Sequence, residues 1–148
     1  GGDPGDWETP AAAPDAGPAP DLANHRRVLV ADDDAMTLRL VTAIIESDDY
    51  EVVAVSDGRQ ALQTLQVDQN FAAAIFDMMM PHMEGLDLIL YMKADDRLRR
   101  IPIGMISAEQ DPKVWNDSVA AGASVFLPKP FTPPQVRMML RMLTSKAA

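Results

Sequence analysis

A lone carboxylate, Asp77, closes the apolar run Phe71-Ala72-Ala73-Ala74-Ile75-Phe76 and stands just before the breaker Met80-Pro81-His82-Met83-Glu84-Gly85. A second acidic group, Asp32-Asp33-Asp34, closes the run Val28-Leu29-Val30-Ala31, and Lys129 follows a third, Val125-Phe126-Leu127. If each run is a strand of an open parallel sheet, these charges meet in the crevice at the carboxyl ends of the strands, where such folds bind ligands. Three carboxylates and one ammonium in one crevice suit a divalent cation together with a phosphoryl group. Magnesium takes oxygen ligands in octahedral geometry and keeps several waters, so Asp32, Asp33 and Asp77 are a sufficient protein share. Like charges repel, which favours a cation and raises at least one carboxyl pKa when the metal is absent. With the metal present, Asp77 stays ionised and is placed to attack phosphorus, giving an aspartyl phosphate. The metal and Lys129 then neutralise charge on the transferring oxygens. Ser107, in Met105-Ile106-Ser107-Ala108, adds a hydroxyl at the end of a fourth run.

To position these groups, the chain needs alternating strands and helices, and from Val28 onward short apolar runs do alternate with helical patterns. Strands are predicted at Val28 to Ala31, Glu51 to Val55, Ala72 to Phe76, Ile101 to Ile106 and Val125 to Leu127. The first helix starts at the cap Asp34 with the stripe Leu38, Val41, Ile44, Ile45. The second runs from about Asp57 and carries Ala61, Leu62 and Leu65; the third carries Leu86, Ile89, Leu90 and Met92. The fourth spans about Pro112 to Ala121, stopped by Gly122. The last starts at Thr132 and Pro133 and carries Val136, Met139, Leu140 and Leu143. Short connections require right-handed crossovers with helices on both faces. The expected fold is therefore α/β, a five-stranded parallel sheet in a flavodoxin-like, doubly wound (βα)5 three-layer sandwich.

The 148 residues suffice for one domain with a proper core, and 47% hydrophobic with 24% charged residues is ordinary for a soluble globular chain. No apolar stretch is long enough to span a bilayer. A net charge of -9 argues against direct nucleic-acid binding, because a polyanion would be repelled. With no cysteine there is neither a disulfide framework nor a thiolate site, which fits a reducing cytoplasm. Residues 1–24 hold five of the twelve prolines and no periodic apolar pattern, so they read as a flexible Pro/Ala-rich tail or linker before a domain at 25–148. Trp7 is the one large aromatic in that tail.

Four strings, Val28-Leu29-Val30-Ala31-Asp32-Asp33-Asp34, Phe76-Asp77-Met78-Met79-Met80-Pro81-His82-Met83-Glu84-Gly85, Ile106-Ser107-Ala108 and Pro128-Lys129-Pro130-Phe131, resemble the receiver domain of bacterial two-component response regulators, of the chemotaxis-Y-like type. The resemblance covers about Arg27 to Lys146. It implies that Asp77 is the phosphoacceptor, that Asp33 and, largely through water, Asp32 bind Mg2+, and that Met79 gives the metal its backbone carbonyl. It further implies that Ser107 is the switch hydroxyl, Lys129 the ion-pairing ammonium, and Phe126 the switch aromatic, here without the hydroxyl of the usual tyrosine. The peptide after the lysine is typically cis in this family, which Lys129-Pro130 permits. The implied partners are a histidine kinase or histidine phosphotransfer protein as donor and a downstream protein as target, with a phosphorylation-dependent dimer compatible with both. Such a domain catalyses its own phosphotransfer and slow autodephosphorylation without being a turnover enzyme. Met79 flanks the route of a hydrolytic water that a thioether orients poorly, so a long-lived phosphoryl group is expected.

Three alternatives read the same residues differently. A haloacid dehalogenase-like phosphatase also places an aspartate after a strand, but its motif ends in threonine or valine where Asp32-Asp33-Asp34-Ala35-Met36 has methionine. A flavin-binding domain needs a phosphate-cradling loop where this chain has three carboxylates, and an interaction module independent of phosphorylation has no need of the acidic site. Met78-Met79-Met80 reads as adaptable packing, and His25 and His82 as loop residues too few for a metal cluster. Lys93, Arg97, Arg99 and Arg100 read as a solvated loop or a dock for an acidic partner. If Val114, Ser118 and Ala121 form the buried stripe of the fourth helix, Trp115 turns toward the face shared with the fifth strand and last helix, and the resemblance implies that this face is the usual output face. With nothing predicted after the last helix, output is expected from a partner, whether the chain stands alone or ends a larger protein.

Overall fold

A computed structural model describes residues 26–145. The tail expected at residues 1–24, with Trp7, and His25 lie outside the described residues. Five strands, β1 (Arg27–Ala31), β2 (Glu51–Val55), β3 (Ala73–Asp77), β4 (Ile103–Ser107) and β5 (Val125–Pro128), form one parallel sheet in the order β2-β1-β3-β4-β5. They alternate with α1 (Ala35–Ser47), α2 (Gly58–Val67), α3 (Gly85–Lys93), α4 (Pro112–Ala121) and α5 (Pro133–Thr144). This is the doubly wound, flavodoxin-like α/β sandwich that the alternation of the sequence requires.

Side chains alternate across the sheet and so sort into two cores. Leu29, Ala74, Phe76, Ile103 and Met105 pack with Leu65 of α2 and Leu88, Ile89 and Met92 of α3. Val28, Val30, Ile75, Ile106 and Leu127 pack on the other face with Val41, Ile44 and Ile45 of α1 and Val136, Met139, Leu140 and Leu143 of α5. Burial of each such side chain other than the alanine contributes about 1.5–3 kcal/mol. The central strands β3 and β4 are buried along their whole length, which is why they read as unbroken apolar runs.

Local signals set most of the helix ends. The Asp57 carboxylate accepts from Gln60 N–H at 2.8 Å and the Asp111 carboxylate from Lys113 N–H at 2.9 Å, each satisfying an otherwise unpaired first-turn donor. Gly122 ends α4 with φ 129°, a conformation that a side chain would strain. Asp34 occupies the cap position of α1, but its carboxylate accepts from the Thr37 hydroxyl and caps no backbone N–H. The stripe expected on α3 needs correction at Leu90, which is 52% exposed. The buried positions are Gly85, Leu88, Ile89 and Met92, spaced i, i+3, i+4, i+7, a phase that turns residue 90 outward. Strand β4 begins at Ile103, two residues after the expected start, and Ile101 is buried ahead of it.

Candidate functional site

Parallel register brings the carboxyl ends of β1, β3, β4 and β5 to one edge: Ala31 pairs with Phe76, Asp77 with Ile106, and Ser107 with Pro128. The residues just beyond, Asp32, Asp33 and Lys129, therefore fall beside Asp77. One carboxylate oxygen from each of Asp32, Asp33 and Asp77 lies within 4.8 Å of the others. Asp32 and Asp77 are buried, while Asp33 is exposed. Lys129 Nζ lies 3.1 Å from Asp32 Oδ2 and 3.3 Å from Asp77 Oδ2. Asp32 Oδ1 accepts from Asp34 N–H at 2.9 Å, so that carboxylate is held by backbone on one side and by the ammonium on the other. The Lys129-Pro130 peptide is cis, as the resemblance implies.

Burial, followed by the neighbouring Asp32, pushes the Asp77 carboxyl up to about 6, against the opposing pull of Lys129 and the Met79 N–H. Burial works against the charge of Lys129, yet Asp77 and Asp32 together hold its pKa above the usual lysine value. Three carboxylates facing one ammonium leave an excess of negative charge in a largely buried pocket. Oxygen-only donors, two of them buried, and an unbalanced negative charge fit a hard divalent cation such as Mg2+.

The acceptor strand is followed by a loop that must hug the site. Gly85 N–H donates to the Met78 carbonyl at 3.0 Å, and a Cβ on Gly85 would stand 2.7 Å from the Asp77 carbonyl oxygen. Only glycine lets α3 start this close to the acceptor. Met78 and Met80 are buried while Met79 is 54% exposed, so the string divides between packing and the rim of the crevice. His82 lies in the same loop, its Nδ1 3.1 Å from Arg59 Nη2, and takes no part in the acidic cluster.

Ser107 is buried on β4, and its Oγ accepts from Glu109 N–H at 3.0 Å. Phe126 and Trp115 are half-buried, and their ring centroids are 4.8 Å apart. Ser118 is buried as expected, with Val114 and Ala121 half-buried beside it. The basic loop is largely tied to itself: Lys93 Nζ donates to the Arg99 carbonyl, Arg97 pairs with Asp95, and Arg99 with Asp96. Sequence reasoning missed two contacts, the bridge from Lys129 to Asp32 as well as Asp77, and a hydrogen bond from Trp115 Nε1–H to the Glu109 carbonyl at 2.6 Å. The register of β5 beside β4 was the available signal for the first. Nothing in the spacing of residues 109 and 115 announced the second.

The model of the response regulator receiver domain family matches residues 28–141. The chain belongs to that family. Among sequence relatives of this receiver domain, the two-component response regulator ORR3 of Oryza sativa subsp. indica is 32% identical over 119 residues, covering 80% of the chain and 91% of the relative. The chemotaxis protein CheY1 of Helicobacter pylori is 31% identical over 118 residues, covering 79% and 95%. Among solved structures, the chemotaxis response regulator CheY4 of Vibrio cholerae superposes with a TM-score of 0.74 at 30% identity, covering 79% of this chain and 97% of that one. The receiver domain of a signal transduction histidine kinase from Syntrophus aciditrophicus gives 0.74 at 27% identity, covering 80% and 89%. The general role of this receiver domain is thus that of a phosphoryl-accepting signalling switch in a two-component system, which implies a phosphorelay partner. The family match leaves the haloacid dehalogenase alternative without support. Among the described residues no helix is long and apolar enough to cross a membrane.

Proposed function

We propose that Asp77 is the phosphoacceptor of this receiver domain. The observation that carries the reading is that Asp77 ends β3 as a buried carboxylate joined to Lys129 and clustered with Asp32 and Asp33. An Asp77 carboxylate oxygen attacks the phosphorus of a phosphohistidine on a histidine kinase or histidine phosphotransfer protein. The new O–P bond forms as the P–N bond breaks, and the electron pair leaves with the imidazole nitrogen, which takes up a proton from solvent. Asp33, Asp77 and the Met79 carbonyl, with Asp32 largely through water, would hold Mg2+, and the ion would neutralise charge on the transferring oxygens. Lys129 favours the ionised form of Asp77 and offers the phosphoryl group a positive charge, and Ser107 offers it a hydroxyl.

The chain catalyses its own modification and slow dephosphorylation and turns over no other substrate. Turning of Ser107 and Phe126 then alters the α4-β5-α5 face toward a downstream protein or a second copy of the chain. The test is intact-mass measurement after incubation with acetyl phosphate and Mg2+. One phosphoryl group should appear on the wild type and none on Asp77→Asn; a variant that still gained it would refute the assignment.

A further inference from the structure

Three contacts run in series from the acceptor crevice to α4. Ser107 Oγ accepts from Glu109 N–H at 3.0 Å, the Glu109 carbonyl accepts from Trp115 Nε1–H at 2.6 Å, and the Trp115 ring lies 4.8 Å from Phe126 at a 35° tilt. The middle residue is itself locked. Its carboxylate Oε2 accepts from Gln110 N–H at 3.0 Å and from Asp111 N–H at 2.9 Å, which ties residues 109–111 together. Strand alternation explains why the ends of this series face the same way. Leu127 and Ile106 point to the α1/α5 core, so Phe126 and Ser107 point to the opposite face, where α4 lies.

We propose that Trp115 is a positioning residue for the Ser107 hydroxyl: through the two successive peptides that meet at Glu109 it fixes Ser107 in the resting state, and through its ring it fixes Phe126. The proposal rests on the reading of Asp77 as the acceptor. When Ser107 changes rotamer toward a phosphoryl group on Asp77, its oxygen leaves the Glu109 N–H. The segment 109–111 is then free to shift, and the Glu109 carbonyl withdraws from the indole. With that hydrogen bond gone, the indole parts from Phe126. Space for that swing exists, because a cavity of about 420 Å³ lined by Glu109, Gln110, Pro112, Trp115, Asn116 and Pro128 adjoins the ring. Phe126 has no hydroxyl, so no hydrogen bond of its own opposes the motion. Trp115 thus couples the two switch residues and sets how far apart the resting and phosphorylated states lie.

The test uses the full chain carrying Trp7→Phe, which leaves Trp115 as the sole tryptophan. Acetyl phosphate with Mg2+ should shift Trp115 emission to the red, in proportion to the phosphoryl incorporated as read by intact mass. Compared at equal phosphoryl occupancy, Ser107→Ala in the same background should lose the shift and Ser107→Thr should restore it. Phosphorylated protein with unmoved emission, or a full shift in Ser107→Ala, would overturn the coupling while leaving the acceptor assignment intact. Failure of the Trp7→Phe chain to gain any phosphoryl group would instead overturn the acceptor reading, and the proposal with it.

Discussion

The Lys129 ammonium reaches past β4 to Asp77: the two residues stand at the ends of β5 and β3, strands that do not pair, yet Nζ lies 3.3 Å from Oδ2. The same ammonium is 3.1 Å from Asp32 Oδ2, so one cation offsets two buried carboxylates. Removing it leaves those carboxylates facing each other without compensation. Lys129→Met should therefore move the Asp77 pKa further above about 6. It should also cut the rate of phosphoryl uptake from acetyl phosphate by about a hundredfold, the loss expected when one charge-stabilising donor is deleted. A rate within threefold of wild type would show that Lys129 serves packing alone.

The displaced pKa of Asp77 also makes stability depend on pH. In the unfolded chain this carboxyl titrates near 3.8, whereas in the folded protein burial and then Asp32 push it up to about 6. Between those values the folded state holds a proton that the unfolded state has released, so stability falls as pH rises through that window. The difference of about two units corresponds to roughly 3 kcal/mol. Asp77→Asn has no such proton to lose. Urea melts of chelator-treated protein should show the variant gaining on wild type from pH 4 to pH 7 by an amount of that order. Equal gaps at both pH values would remove Asp77 as the cause.

Most of this site was legible because it sits where strands end. Asp77 and Ser107 follow apolar runs that β3 and β4 bury completely, so their places in the crevice follow from the chain direction alone. Asp32, Asp33 and Lys129 were legible for the same reason, one residue or two past β1 and β5. What escaped depends on side-chain reach across elements. Leu90 and Leu88 are both leucines on one short helix, and only packing against the sheet decides which turns inward. Helical spacing turns Trp115 toward β5, where its ring meets Phe126, but its hydrogen bond to Glu109 depends on the path of the loop before α4, which no periodicity encodes.

Asp33 differs from its neighbours in making no ion pair with Lys129, and it is exposed where Asp32 and Asp77 are buried. Its part in the cluster is then limited to the cation. Asp33→Asn should weaken Mg2+ binding at least tenfold while changing unfolding stability by no more than about 0.5 kcal/mol, as exposed substitutions usually do. Calorimetric titration with Mg2+ checks the first and urea melts the second. In the wild type the same titration should weaken below about pH 6, because protons then compete with the metal for Asp77. Undiminished affinity in Asp33→Asn would place the cation away from this cluster.

We predict that the Met79 side chain slows loss of the phosphoryl group. Its backbone N–H donates to Asp77 Oδ1 at 3.4 Å, so its main chain adjoins the acceptor while its side chain is 54% exposed at the rim. Hydrolysis of an aspartyl phosphate needs a water held in line with the breaking bond, and a thioether is only a weak hydrogen-bond acceptor. A carboxamide at the same position both donates and accepts and so can hold that water. Met79→Asn should therefore shed its phosphoryl group faster than the wild type, by about tenfold, as a positioned water-orienting group typically contributes at least that much. The decay of the phosphorylated mass after removal of donor measures it. Wild-type decay equal to or faster than that of the variant would mean that water reaches phosphorus by a route the residue-79 side chain does not govern.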